Sequence, residues 1–189
     1  MKLRHPSERA VEQHRRIRES LLQLMGEGDY GQISVMAICG RAGIPRRTFY
    51  YYYDSKDQVL DGLLEWIVQE CNLESMFDAD RDPKNIEFYF SRFFRFWKDS
   101  HRGALDALLK NGFGSRLMLQ YQNWVLTEGE WLRPVEDLQL ELRTIGSKLA
   151  TACVLHALFY WWECGFRQTP EEMASFVTQI LSQPLYRTR

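Results

Sequence analysis

Six residues in one short stretch carry side chains suited to gripping a polyanion. Arg46, Arg47, Thr48, Tyr50, Tyr51 and Tyr52 crowd the run IPRRTFYYYYDSKDQVL, and each offers hydrogen-bond donors that fit phosphate oxygens or base edges. A helix turns about 100° per residue, so the four consecutive tyrosines at 50–53 cannot all face a core. At least two are expected on the surface, where tyrosine beside arginine favours a contact face. Lys56 stands at the start of the next helix, where a cation opposes the helix dipole; a nearby anion would account for it.

The residues just upstream supply a frame for this cluster. Ser34 is a predicted N-cap for a short helix with Val35, Ile38 and Ala42 turned inward, closed by Gly43. Pro45 suits the first turn of a second short helix over 45–52, because its missing N–H would be orphaned there anyway. Two short helices separated by Ala42-Gly43-Ile44 make a helix-turn-helix: glycine permits the tight turn, and Ile38, Ala42, Ile44 and Phe49 fill the wedge. Ahead of them, Ala10, Gln13 or His14, Ile17, Leu21 and Leu24 mark one stripe of a helix capped by Ser7 and ended by Gly26 and Gly28. Arg15, Arg16 and Arg18 on that helix read as a solvated face ahead of phosphate contacts. Behind the cluster, Ser55 opens a longer helix through Val59, Leu60, Leu63, Leu64, Ile67 and Val68.

The second part follows a polar, acidic stretch at 78–85, read as a turn or hinge. Ile86, Tyr89, Phe90, Phe93, Phe94 and Trp97 then recur at helical spacing, with Phe88 and Phe96 on a neighbouring face. Shorter helices are predicted over 103–110 and 115–127. Leu138, Leu142, Ile145, Leu149, Cys153, His156 and Tyr160 mark one long helix ending near Gly165. Thr169-Pro170-Glu171-Glu172 reads as an N-cap with proline at the first helical position and acids at the positive helix end. Met173, Phe176, Val177, Ile180 and Leu181 form the face of the last helix. No strand pattern competes, so the expected fold class is all-α.

Composition narrows the function classes. The 189 residues are 45% hydrophobic, enough to bury a core, and the net charge is −1. That charge is uneven: residues 1–60 hold ten Lys or Arg against seven acids, a net +3, and the remainder carries −4. A basic head on an acidic body suits a protein that presents one end to a polyanion. Cys39, Cys71, Cys153 and Cys164 make no CxxC pair and read as reduced core thiols; His5, His14, His101 and His156 are equally dispersed, so no metal site or cofactor is expected. No GxSxG elbow or phosphate-loop lysine is present, which argues against an enzyme. The stretch 149–162 is broken by Thr151 and His156 and is too short to span a bilayer. The polar N-terminal sequence does not fit an export signal, and a cytoplasmic, membrane-free protein is expected.

Ser34-Val35, Ile38, Ala42-Gly43-Ile44, Thr48-Phe49-Tyr50, Tyr53, Lys56-Asp57 and Leu60 together resemble the DNA-binding domain of the TetR family of bacterial regulators. Tyr30 and the amphipathic first helix agree with it. The resemblance implies a DNA-binding domain over 1–54 and a helical dimerisation and effector domain over 55–189. It implies a homodimer on a near-palindromic operator, with the third helix in the major groove, acting as a repressor released by a small molecule. Carried over by position, Arg46, Arg47, Thr48, Tyr50, Tyr51 and Tyr52 face DNA, Ser34, Val35 and Met36 meet the backbone, and Lys56 binds phosphate. Phe49 and Tyr53 fall at interior positions. Cys39 stands where alanine is common, Pro45 replaces a frequent serine, and Tyr52-Tyr53 a frequent His-Phe. The run from Tyr160 to Ala174 is similar to a branch frequent in Gram-positive bacteria. The two last helices are the expected dimer interface, through Leu149, Cys153, Met173, Phe176, Val177 and Ile180. Phe90, Phe93, Phe94, Trp97, Trp124 and Tyr160 would wall a pocket for an apolar or aromatic effector. The competing readings are a helical module docking an acidic protein and a DNA-binding regulator without a ligand.

Overall fold

The computed structural model describes residues 8–76, 86–127 and 140–182, and every regular element among them is helical. Ser7, the hinge at 78–85 and Leu138 lie outside the described residues. The chain divides into two units, Met1–Trp66 and Ile67–Arg189.

In the first unit, α1 (Glu8–Glu27) is followed by a 3₁₀ turn (Tyr30–Gln32), α2 (Val35–Ala42), α3 (Arg46–Tyr52) and the first half of α4 (Lys56–Met76). The two central helices are short, so local capping sets their limits. Ser34 Oγ accepts from the Ala37 N–H at 3.1 Å. Gly43 closes α2 in the left-handed region, at φ 63, while the Ile44 N–H donates to the Cys39 carbonyl at 3.0 Å. Pro45 sits one position earlier than expected, as the N-cap itself, with extended ψ 147. From there its carbonyl accepts from the Thr48 and Phe49 N–H groups. The core is small and apolar, built from the buried Ile17, Leu21 and Met25 of α1, Ile38 and Ala42 of α2, Phe49 of α3, and Val59, Leu60 and Leu63 of α4. Phe49 is fully buried; sealing a ring of that size from water stabilises by about 1.5–3 kcal/mol and ties α3 down by its inner face.

The second unit holds the rest of α4, then α5 (Ile86–Arg95), α6 (Arg102–Lys110), α7 (Gly114–Thr127), α8 (Leu140–Glu163) and α9 (Pro170–Ser182). Its core is aromatic. Phe90, Phe94, Trp97 and Trp161 are fully buried, and Phe94 meets Trp161 edge to face at 5.5 Å. The aromatic run does not continue as one α-helix: Phe96–Ser100 form a π-helical turn, with the His101 N–H donating to the Phe96 carbonyl at 2.9 Å. The wider turn brings both Phe96 and Trp97 inside, although helical spacing alone puts Phe96 on a neighbouring face. At α9 the predicted cap is a reciprocal box. Glu172 donates its N–H to Thr169 Oγ1 at 3.1 Å, and its carboxylate accepts from the Thr169 N–H at 2.7 Å.

The long helix α8 turns its predicted stripe the other way. Ser147, Thr151, Val154, Leu155, Leu158 and Trp161 face inward, whereas Leu142, Ile145, Leu149, His156 and Tyr160 are exposed. On α9, Met173, Ala174 and Val177 are buried and Phe176 is 54% exposed. An apolar stripe that its own chain leaves uncovered is a surface awaiting a partner.

Candidate nucleic-acid interface

Helix α3 is held from beneath by Phe49 and from its C-terminal end by Tyr53, both buried. What remains outside is the predicted cluster. Tyr51 is 81% and Tyr50 46% exposed, Arg46 and Arg47 stand in solvent, and Thr48 and Tyr52 are half-buried. The exposed residues divide between two flanks. On one, Arg46 lies 5.4 Å over the Tyr50 ring and donates Nη2 to its hydroxyl at 3.3 Å. On the other, Arg47, Thr48 and Tyr51 border a cleft shared with α1. Of the α2 residues expected at the backbone, Ser34 is engaged in its cap, Val35 is half-buried, and Met36 is exposed at the first turn.

A chain of rings braces the exposed Tyr51. His14 of α1 meets Tyr52 and Tyr53 edge to face, each at 5.0 Å, and Tyr52 meets Tyr51 the same way at 4.9 Å. Burial first, and then the Arg18 cation, hold the His14 pKa below the ordinary imidazole value, so the neutral ring is the packed form. His14→Ala is expected to loosen Tyr51 and weaken DNA binding about tenfold in a mobility-shift assay, with His14→Phe restoring it. Equal binding by the alanine variant would sever this brace from recognition.

Lys56 has partners the sequence does not signal. Its Nζ donates to the carbonyls of Tyr30 at 2.8 Å, Ile33 at 2.9 Å and Gly31 at 3.3 Å, and lies 4.5 Å over the Tyr30 ring. The Tyr30 hydroxyl donates to Asp57 Oδ1 at 2.9 Å. Lys56 therefore ties the start of α4 to the turn that leads into Ser34 and α2. The arginines of α1 also separate. Arg15 pairs with Glu12 and Glu19 at 2.8 and 2.7 Å, Arg18 lies over Trp66, and Arg16 donates Nη2 to the Ala42 carbonyl at 2.6 Å.

In the second unit, Phe90, Phe93, Phe94, Trp97 and Trp124 are all buried, whereas Tyr160 is 63% exposed and is not brought to them. Tyr121, which no sequence pattern singles out, joins this interior, with its ring 5.7 Å from Phe93. Its hydroxyl and Trp97 Nε1 are shut off from water, and the hydroxyl has Trp97 and the Cys71 thiol as its polar neighbours. Burial drives the Tyr121 pKa well above the ordinary phenol value. Of the expected interface residues, Leu149 is 66% exposed and Phe176 also faces out; Cys153 and Ile180 are half-buried. Met173 and Val177 point into the chain's own core, because α9 spends that face on packing against α5 and α8. Among the described residues no group of His, Cys, Asp and Glu could hold a metal ion, and no helix is long and apolar enough to cross a membrane.

A helix-turn-helix whose second helix turns arginine and tyrosine outward, followed by a larger helical unit, is the architecture of a DNA-binding transcriptional regulator. Residues 17–63 match the family described as bacterial regulatory proteins, tetR family. Solved structures share the fold along most of the chain. A TetR transcriptional regulator from Streptococcus agalactiae 2603V superposes with TM-score 0.67 at 18% identity, covering 93% of this chain and 96% of its own. A putative transcriptional regulator from Pseudomonas aeruginosa PAO1 gives 0.63 at 13% identity, covering 89% and 88%. The fatty acid degradation regulator FadR from Bacillus halodurans gives 0.61 at 17% identity, covering 98% and 100%. No curated protein matches the chain.

Proposed function

We propose that this regulator is a dimeric repressor that places α3 of each copy in successive major grooves of a near-palindromic operator and leaves it when a small molecule binds the second unit. The observation that carries the DNA-reading part is the α3 surface, where Arg46, Arg47, Tyr50 and Tyr51 are exposed around a fully buried Phe49. A helix held so firmly beneath, with donors on both flanks, suits readout of base edges and positioning on phosphates. The repressor sense follows the usual behaviour of the family.

The effector part is supported by the buried aromatic cluster of Phe90, Phe93, Phe94, Trp97 and Trp124. Such walls offer little to pair a buried charge and favour an apolar or aromatic ligand. A ligand that binds better to the arrangement unable to grip DNA lowers operator affinity by that difference in binding energy.

The test selects bound fragments from the host genome and measures wild type, Arg47→Ala and Tyr50→Ala on the strongest of them. Each variant is expected to lose about 10- to 100-fold in affinity at unchanged melting temperature. Wild-type binding by both would remove α3 from the interface. A reporter placed behind the same fragment reads whether binding lowers or raises transcription.

A further inference from the structure

Two clefts flank α3, and their charges differ. One, of about 490 Å³, is bordered by His14, Arg18, Tyr52 and Tyr53 and by the α4 acids Asp61 and Glu65. The other, of about 550 Å³, is bordered by Arg9 and Arg16 of α1 and by Arg47, Thr48 and Tyr51 of α3, with the turn at Gly43 between them. No acid lines the second cleft among the described residues. Three guanidinium groups, the Thr48 hydroxyl and the phenols of Tyr51 and of Tyr52, which lines both clefts, form a surface complementary to an extended anion.

The origin of those groups explains why sequence does not separate them. Arg15, Arg16 and Arg18 look alike as a basic run on an amphipathic helix. Arg15 is turned to the flank where Glu12 and Glu19 engage it, and Arg18 borders the acidic cleft. Arg16 alone of the three reaches the second cleft, where it is aimed by its 2.6 Å bond to the Ala42 carbonyl. That bond uses one donor of five and leaves the rest of the fork for another acceptor. Arg9, nearly two turns earlier on the same face, is exposed.

We infer that this cleft seats a stretch of the phosphodiester backbone of duplex DNA, so that Arg9 and Arg16 extend the footprint of α3 onto α1. The inference rests on the reading of α3 as DNA-facing. Duplex DNA carries one negative charge per about 1.7 Å of axis, which matches a series of cations along a groove better than a single anion would. Arg47 and Tyr51 belong to both surfaces, which fixes the register between backbone and base edges. Arg9 and Arg16 thus supply affinity without sequence preference.

Salt dependence separates these roles without knowledge of the operator. Full-length protein is titrated onto a short random-sequence duplex over a range of salt concentrations. The slope of log affinity against log salt falls by about 0.9 for each phosphate the protein no longer neutralises. Arg9→Ala and Arg16→Gln, the latter keeping a donor for the Ala42 carbonyl, are each expected to reduce the slope by about one, and the double variant by about two. Arg15→Ala is the control and is expected to keep the wild-type slope. If Arg16→Gln melts early, Arg9→Ala alone carries the test. Wild-type slopes in Arg9→Ala and Arg16→Gln would overturn the cleft, as would an equal reduction in Arg15→Ala. If the selected operator still loses affinity with Arg47→Ala, the reading of α3 survives that result. A wild-type protein that binds no duplex at all overturns both.

Discussion

Aspartate in place of Phe176 is expected to yield monomers in sedimentation and to remove tight operator binding. Phe176 and Leu149 are each more than half exposed, and they share the outer surface of α8 and α9 with Leu142, Ile145 and Tyr160. Packed against a second copy, this stripe becomes the seam of a four-helix arrangement, and two-fold symmetry makes each substitution enter it twice. Desolvating a carboxylate there costs several kcal/mol per ion, more than the ring it replaces contributes. The chain itself should tolerate the change, since Phe176 is not part of its own core. Val177→Asp is the contrast: Val177 is fully buried, so that variant is expected to unfold rather than dissociate. Dimers that persist in Phe176→Asp would move the interface to another face. Folded monomers that keep wild-type operator affinity would separate dimerisation from DNA binding.

This contrast shows where sequence stops being informative. Periodicity locates α8 and α9 and names their apolar residues, but a 3.6-residue repeat reports only that a face is apolar. It does not say whether the face is covered by the same chain or another copy. Hence Met173 and Val177 group with Phe176 in sequence, although they are buried and Phe176, about 100° round the helix from Val177, is exposed. Caps are far more legible. Ser34, Gly43 and the Thr169–Glu172 box act through atoms within a few residues, so their chemistry is written locally. The π turn at Phe96–Ser100 leaves no such mark, because its one extra residue per turn needs no special side chain. The α3 surface is legible for another reason: four adjacent tyrosines force some outward whatever the packing, and Tyr50 and Tyr51 are the ones that go. Tyr121 escapes notice in sequence because its spacing from Leu117 and Trp124 reports only an apolar face of α7, and it reaches Phe93 through tertiary packing.

Lys56→Ala is expected to lower the melting temperature of the N-terminal unit and leave the salt dependence of DNA binding almost unchanged. From sequence, a cation at a helix start invites an anionic partner, and the family resemblance makes that partner a phosphate. The structure directs Nζ to three backbone carbonyls instead, those of Tyr30, Gly31 and Ile33. Those acceptors lie 23 to 26 residues back in the chain, and every residue carries a carbonyl, so no pattern of side chains announces them. Charge-assisted bonds of this kind are worth about 1.5–3 kcal/mol each when well shielded and less at a partly open site. A net loss of about 2 kcal/mol is expected, equivalent to roughly 10 °C for a unit of this size. The carbonyls belong to the segment that delivers Ser34, so the damage should spread to the start of α2 and show as faster amide exchange there. Two measurements then decide between the roles. A lower melting temperature with an unchanged slope makes Lys56 a brace for the helix-turn-helix. A slope reduced by about one ion at unchanged melting temperature makes it a phosphate ligand. Lys56→Arg sharpens the distinction: it keeps the charge for a phosphate, but a planar fork cannot point at three carbonyls clustered around one nitrogen. A brace therefore predicts that arginine fails to restore stability, whereas a phosphate ligand predicts that it restores the slope.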